Sequence, residues 1–298
     1  MNRLASVEAA APLVTAPTAG TLPARAPRRW DPRLYQIATL AGLLGYGIWW
    51  LDLEVRLGTA VAIVASVLAT QLLCTRLAGR GQFDPRSALI SGLSLCLLLR
   101  PGSLDVAMLA AVIAIASKFT LCVRGKHVFN PTNFALVAMM LVAQDMWVSP
   151  GQWGSGIVFA FLLASAGGLV VNRAARADVT LAFLACYAGL LVGRSLWLGE
   201  PLAIPMHRLE NGALVLFSFF MISDPKTTPD SRRGRILFAA LVALGAYTVQ
   251  FWLFRTNGLL WSLAGCSLAV PLIDLLLPGR RFQWKPAEAS RRGERKLA

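Results

Sequence analysis

The sequence predicts an all-α integral membrane fold: ten transmembrane helices in two inverted five-helix repeats, with both termini in the cytoplasm. Composition is the first reason. Of 298 residues, 56% are hydrophobic and only 15% are charged, with a mean hydropathy of +0.59. No soluble core of this size hides that much apolar surface, so the bilayer must act as solvent. The second reason is the placement of charge. The net charge of +14 would suit nucleic acid if spread over a soluble surface, but 24 of the 29 Lys and Arg lie in the two tails and in alternate loops. The remaining five are Arg56, Arg100, Arg194, Arg208 and Arg255, in the intervening loops. That asymmetry follows the positive-inside rule, and a nucleic-acid partner is not expected.

Residues 1–33 hold Pro12, Pro17, Pro23 and Pro27 and a basic patch at Arg25, Arg28, Arg29 and Arg33. They read as a disordered basic cytoplasmic tail, a transit peptide being the rival reading. Apolar runs then occupy 34–51, 58–74, 87–99, 104–121 and 131–144, forming a first repeat over 34–144. Runs at 155–172, 179–198, 212–222, 235–253 and 258–277 form a second over 145–277, and 278–298 is a basic cytoplasmic tail. Tryptophan favours the membrane interface. Trp49, Trp50, Trp147, Trp153, Trp197, Trp252 and Trp261 all fall at the expected outer side, whereas Trp30 and Trp284 fall at the inner one.

The third, fifth and eighth runs are short against the roughly 20 helical residues that cross a hydrocarbon layer about 30 Å thick. They are expected to be tilted, broken or incomplete spans. Helix starts at Asp84-Pro85 and Asn130-Pro131 recur as Asn211-Gly212 and Asn257-Gly258, and both intervals are 46 residues. Short, interrupted spans at matching places in two halves mark an inverted-repeat fold with its site at the repeat interface; five spans per half make the halves antiparallel. The alternative is that Asx residues precede many helices without such a meaning.

Three polar, proline-bearing stretches interrupt the pattern, all on the expected cytoplasmic side: 83–87, 125–133 and 223–230. They are candidates to converge on one site. Asn130 suits an N-cap and Pro131 a first helical position, which leaves amides at a positive helix end for an anionic group, with Thr132 and Asn133 adding donors. A capped helix without a ligand is the plainer reading. Pro225 stops any helix after Asp224, so irregular backbone near membrane depth needs partners, and Asp224, Thr227 and Thr228 are candidates to meet a ribityl or phosphate group. An exposed turn is its rival. Lys118 and Asp274 are ionisable groups within apolar runs, expected to pair with each other or with a bound anion unless they snorkel to the interface. Gln71, Gln144 and Gln250 read as interhelical hydrogen bonders. The five cysteines are scattered, with no Cys-x-x-Cys pair, and predict no metal centre.

These motifs resemble a known family. Ala116-Ser117-Lys118 followed by Val128-Phe129-Asn130-Pro131-Thr132-Asn133, then Phe219-Phe220-Met221-Ile222-Ser223-Asp224-Pro225-Lys226-Thr227-Thr228-Pro229 with Gly234-Arg235, and Val270-Pro271-Leu272-Ile273-Asp274, are similar to the signatures of RnfD/NqrB subunits. The resemblance implies two five-helix repeats of a urea-transporter-like fold in a multi-pass protein of the bacterial inner membrane. It also implies a flavin, FMN or riboflavin, and other electron-transfer subunits coupled to sodium or proton movement. Family members hold FMN through the threonine of a Ser-Gly-Ala-Thr motif. That tetrapeptide is absent and the corresponding stretch from Asp145 to Ser155 differs, so the flavin is expected to be noncovalent, bound near Lys118, Asn130, Thr132, Asn133, Asp224, Thr227 and Thr228. The chain resembles the shorter members associated with enediyne biosynthesis. Two readings from other classes remain: a transporter or channel for a small solute through the same cavity, and a scaffold subunit.

Overall fold

The computed structural model describes residues 31–50, 53–79, 83–149 and 176–282. Wherever an apolar run falls in these residues, a helix coincides with it. The sixth run, 155–172, lies outside them, as do most of both tails, Trp30, Trp153 and Trp284. The first half comprises α1 (Pro32–Trp49), α2 (Leu57–Leu77), α3 (Pro85–Leu98), α4 (Leu104–Thr120) and α5 (Pro131–Val142). The second comprises α6 (Ala177–Leu198), α7 (Ala203–Leu209), α8 (Gly212–Leu216), α9 (Arg232–Phe251), α10 (Gly258–Ser267) and α11 (Val270–Leu276). The protein is a predominantly helical membrane protein. By length and composition α2, α6 and α9 each suffice to cross a membrane, and α10 with α11 forms a pair bent by 50° that qualifies together.

Local chemistry explains where the helices begin. Asp84 accepts the Arg86 amide at 3.2 Å, Asn130 the Asn133 amide at 3.1 Å and Asn211 the Ala213 amide at 2.8 Å, each replacing a partner that the first turn lacks. Asn257 departs from this pattern: at φ 58° it is left-handed and gives no side-chain cap, its side-chain amide donating instead to Met140 Sδ at 3.4 Å. Asp31 caps α1, so Arg33, read from sequence as tail, sits in the first turn of that helix and is buried.

The short spans end by different routes. Beyond α3 the chain becomes β1 (Leu99–Pro101), which pairs antiparallel with β4 (Met146–Val148) beyond α5, in the register Leu99 to Val148 and Arg100 to Trp147. The ribbon pairs backbone groups that a broken helix would leave without partners in an apolar medium. A second ribbon, β2 (Cys122–Val123) with β3 (Lys126–His127), turns at Arg124 and Gly125, both with positive φ. The helix begun as α8 widens into a π-helical turn over Phe217–Met221.

Small residues allow close packing. The stripe Ala107, Ala110, Ala111 and Ala114 of α4 is fully buried, with α2 and α5 packed on that helix; Ala239, Ala243 and Ala246 are likewise buried on α9, which packs on α6 and α10. Trp49, Trp50, Trp197 and Trp252 are exposed at the C-terminal ends of α1, α6 and α9. Tight approach between α9 and α10 rests on Gly258, where an added Cβ would lie 2.7 Å from the Ala246 carbonyl oxygen. We expect Gly258→Val to destabilise the detergent-solubilised protein by about 2 kcal/mol through overpacking. Gly265→Ala, with nothing within 4 Å of the new methyl, should leave the melting temperature unchanged.

Candidate functional site

The three polar stretches meet. Asp84 and Ser87 from the first, His127 and Asn130 to Thr132 from the second, and Ser223 to Lys226 from the third line one cavity of 270 Å³. Lys118 enters it from α4, Arg33 and Gln36 from α1, and Ser87, Ser91 and Ser94 from one face of α3. Ile90, Pro131, Phe219, Phe220 and Met221 supply apolar wall, so the cavity combines flat hydrophobic surface with several charges.

Asn130 joins the two halves of this wall. Its Oδ1 caps α5, while its Nδ2 donates to the Met221 carbonyl and to Asp224 Oδ2, both at 3.4 Å. Asp224 in turn accepts the Lys226 amide at 2.9 Å, and its backbone carbonyl accepts the amides of Thr227 and Thr228 at 3.1 Å. The Asp-Pro turn is thus held from inside. Arg33 donates to Asp31 at 2.7 Å and also pairs with Asp84, fixing a guanidinium at the cavity edge.

The seven residues singled out from sequence separate into two sets. Lys118, Asn130, Thr132 and Asp224 line the cavity. Thr227 and Thr228 do not; their hydroxyls donate to the Asp224 carbonyl at 3.3 and 3.0 Å. Asn133 is fully buried on the other side of α5, where Nδ2 donates to the Leu260 carbonyl of α10 at 3.2 Å and Oδ1 has no partner among the described residues. Lys118 and Asp274 are not a pair. Lys118 Nζ donates to Gln71 Oε1 of α2 at 3.3 Å, the nearer acceptor across a helix contact, and Asp274 is taken by Lys126 at 2.6 Å. Gln71 and Gln250 bond between helices as expected, the latter accepting from the Tyr187 hydroxyl at 2.8 Å, but Gln144 is exposed beyond the end of α5. Sequence reading missed Arg33, Ser91 and Ser94. The spacing of Ser87, Ser91 and Ser94 on an apolar helix was the available signal.

The charges of the site act on one another. Burial raises the Asp224 carboxyl above the ordinary value of 3.8, against the Lys226 amide and the positive charges of Lys118 and Lys226. Ionising Asp224 is therefore harder in the fold than in the unfolded chain, so its contribution to stability is full below 3.8 and falls as pH rises through the raised transition. Asp224→Asn should flatten the fall in melting temperature as pH rises above the ordinary carboxyl value of 3.8. Asn130→Ala should cost about 1 kcal/mol in thermal unfolding through the lost cap, whereas Asn130→Ser, which keeps a capping oxygen, should recover most of it.

Residues 143–283 match the NQR2, RnfD, RnfE family. The D component of the ion-translocating oxidoreductase complex of Escherichia coli K12 is 32% identical over 123 residues, covering 41% of this chain and 35% of that protein. The same-named protein of Escherichia coli O1:K1 / APEC is 34% identical over 125 residues, with coverage of 41% and 35%, and that of Shigella boydii serotype 18 is 32% identical over 123 residues, again at 41% and 35%. The match thus spans about a third of the length of these relatives. The family match over 143–283 contains the Asp224 loop and Val270–Asp274, and the resemblance drawn from those motifs holds.

Proposed function

We propose that the chain is an RnfD/NqrB-like membrane subunit of a flavin-dependent electron-transfer complex, with a noncovalent flavin, FMN or riboflavin, in the cavity bounded by Lys118, Asn130 and Asp224. Convergence of the three polar loops on that cavity carries the reading. Its 270 Å³ lies just below the roughly 300–1,000 Å³ of small-molecule sites, a size that suits a flavin ring system better than a dinucleotide. The donor set suits it too. Lys118 and Arg33 offer positive charge to an electron-rich ring or a phosphate, Asn130 an amide donor, and Phe219, Phe220 and Met221 an apolar face. A bound flavin would supply the one- and two-electron chemistry; the protein supplies position, charge and exclusion of water. The absence of a Ser-Gly-Ala-Thr tetrapeptide supports noncovalent rather than phosphoester attachment.

The same proposal includes ten membrane spans in two inverted five-helix repeats, with both termini in the cytoplasm of a bacterial inner membrane, and electron-transfer partner subunits. Several contacts support the repeat. The chain after α3 pairs with the chain after α5, and in the second half the segment at Asp230-Ser231 lies so close to Gly279 that an added Cβ would meet the Ser231 nitrogen. Asn133 and Leu260, bonded to each other, each stand three residues beyond the matching Asn130 and Asn257.

One observation favours a second reading, a channel or transporter for a small solute. Met221 lines the 270 Å³ cavity, a 10 Å³ void among Leu40, Leu97, Leu216 and Phe220, and a 310 Å³ cavity bounded by Tyr187, Arg208 and Asn257. Flavin content decides between them. Gently purified protein should carry flavin that is released on denaturation, and Asn130→Ala and Asp224→Ala should each lower affinity about tenfold for the loss of a hydrogen bond to a polar ligand. Variants that stay folded but keep full flavin would remove it from this cavity. Absence of flavin even with coexpressed partner subunits, together with solute flux in vesicles, would establish the second reading.

A further inference from the structure

A second cleft, of 450 Å³, opens between the β2–β3 hairpin and α11. Its acidic groups are already engaged. Lys126 Nζ lies 3.1 Å from Asp230 and 2.6 Å from Asp274, and the Asp230 amide donates to the other Asp274 oxygen at 2.8 Å. Two guanidiniums at the cleft remain exposed, those of Arg124 and Arg281. Arg281 is held by donating to the Arg124 carbonyl at 3.0 Å, and the Arg124 guanidinium has no hydrogen bond or ion pair among the described residues. The opposite wall is apolar. Leu272 and Leu275 line it and are more than half exposed, continuous with exposed Leu268 and Leu276 along the same stretch of chain.

One chemistry satisfies both walls. Paired guanidiniums match the oxygens of a phosphate, and a row of exposed leucines beside them matches an acyl chain, at the place where an apolar helix gives way to the basic segment Pro278–Arg281. We propose that this cleft is a binding site for an anionic phospholipid, its phosphate between Arg124 and Arg281 and its acyl chain along Leu272 and Leu275. The site is separate from the flavin reading and does not rest on it. A free phosphate would use the guanidiniums alone, and a zwitterionic lipid brings a cationic group that the two arginines oppose.

The test uses the full chain in nanodiscs of phosphatidylcholine with a minority of phosphatidylglycerol, followed by native mass spectrometry of retained lipid. The wild type should retain phosphatidylglycerol over phosphatidylcholine, and excess inorganic phosphate should not displace it. Arg124→Gln and Arg281→Gln should each lower its retention about fivefold, and Leu272→Gln should lower it as well. All three side chains are exposed, so melting temperatures should match the wild type. Retention unchanged in the arginine variants, equal retention of the two lipids, or displacement by inorganic phosphate with Leu272→Gln indifferent would overturn the lipid site, the last assigning the cleft to free phosphate.

Discussion

The short, interrupted spans among the described residues are shaped by one constraint, the need of backbone amides and carbonyls for partners where water is scarce. Helices α3 and α5 stop short of a full span, and the ribbon of β1 and β4 takes up the polar groups that would otherwise be stranded. At the other short span the chain stays helical but widens over Phe217–Met221, and Asn130 reaches across to the Met221 carbonyl, which also accepts the Asp224 amide at 3.3 Å. The candidate site exists because these interruptions occur. Continuous helices would close the space that Asn130, Asp224 and the serines of α3 surround.

Charge is handled by the same logic. Arg235 grips Asp178 through Nε at 2.9 Å and through a second nitrogen at 2.5 Å, joining α9 to the start of α6. Lys126 joins the hairpin to Asp230 and Asp274, and Arg33 joins the start of α1 to Asp84. Each pair connects segments distant in sequence, and those of Arg235 and Lys126 are largely buried, whereas the Asp84 side chain is 44% exposed. Removing one partner of such a pair would leave a charge without compensation, at a cost of several kcal/mol, about 3–5 in typical cases. These pairs fix how the loops converge more than they add to net stability.

The parts legible in the sequence were those decided locally. Apolar length located the helices, and Asp84, Asn130 and Asn211 cap where their side chains can reach an amide two or three residues on. Asn257 misled in part because nothing nearby reveals that its backbone is left-handed. The partner of Lys118 was illegible for a different reason: the choice between Gln71 and Asp274 depends on which helix lies alongside α4, a tertiary fact. Thr227 and Thr228 looked like ligands because they are polar and follow a proline turn, yet that same turn presents the Asp224 carbonyl to their hydroxyls. Arg33 was lost to the tail because its apolar surroundings begin only after it.

The ribbon at the ends of α3 and α5 also has a mechanical meaning. Backbone hydrogen bonds between β1 and β4 tie the two helices at one end, while Thr132 donates to the Ser91 carbonyl at 3.4 Å nearer the other. The pair therefore forms a strut that resists bending and carries a load as one piece. The π-helical turn opposite is tied by single side-chain bonds, Thr180 to the Ser218 carbonyl at 2.8 Å and Asn130 to the Met221 carbonyl at 3.4 Å, and not by a backbone ribbon, which makes it the more compliant wall of the cavity. Any ligand that needs room would be accommodated by yielding at Phe219, Phe220 and Met221 rather than at the strut.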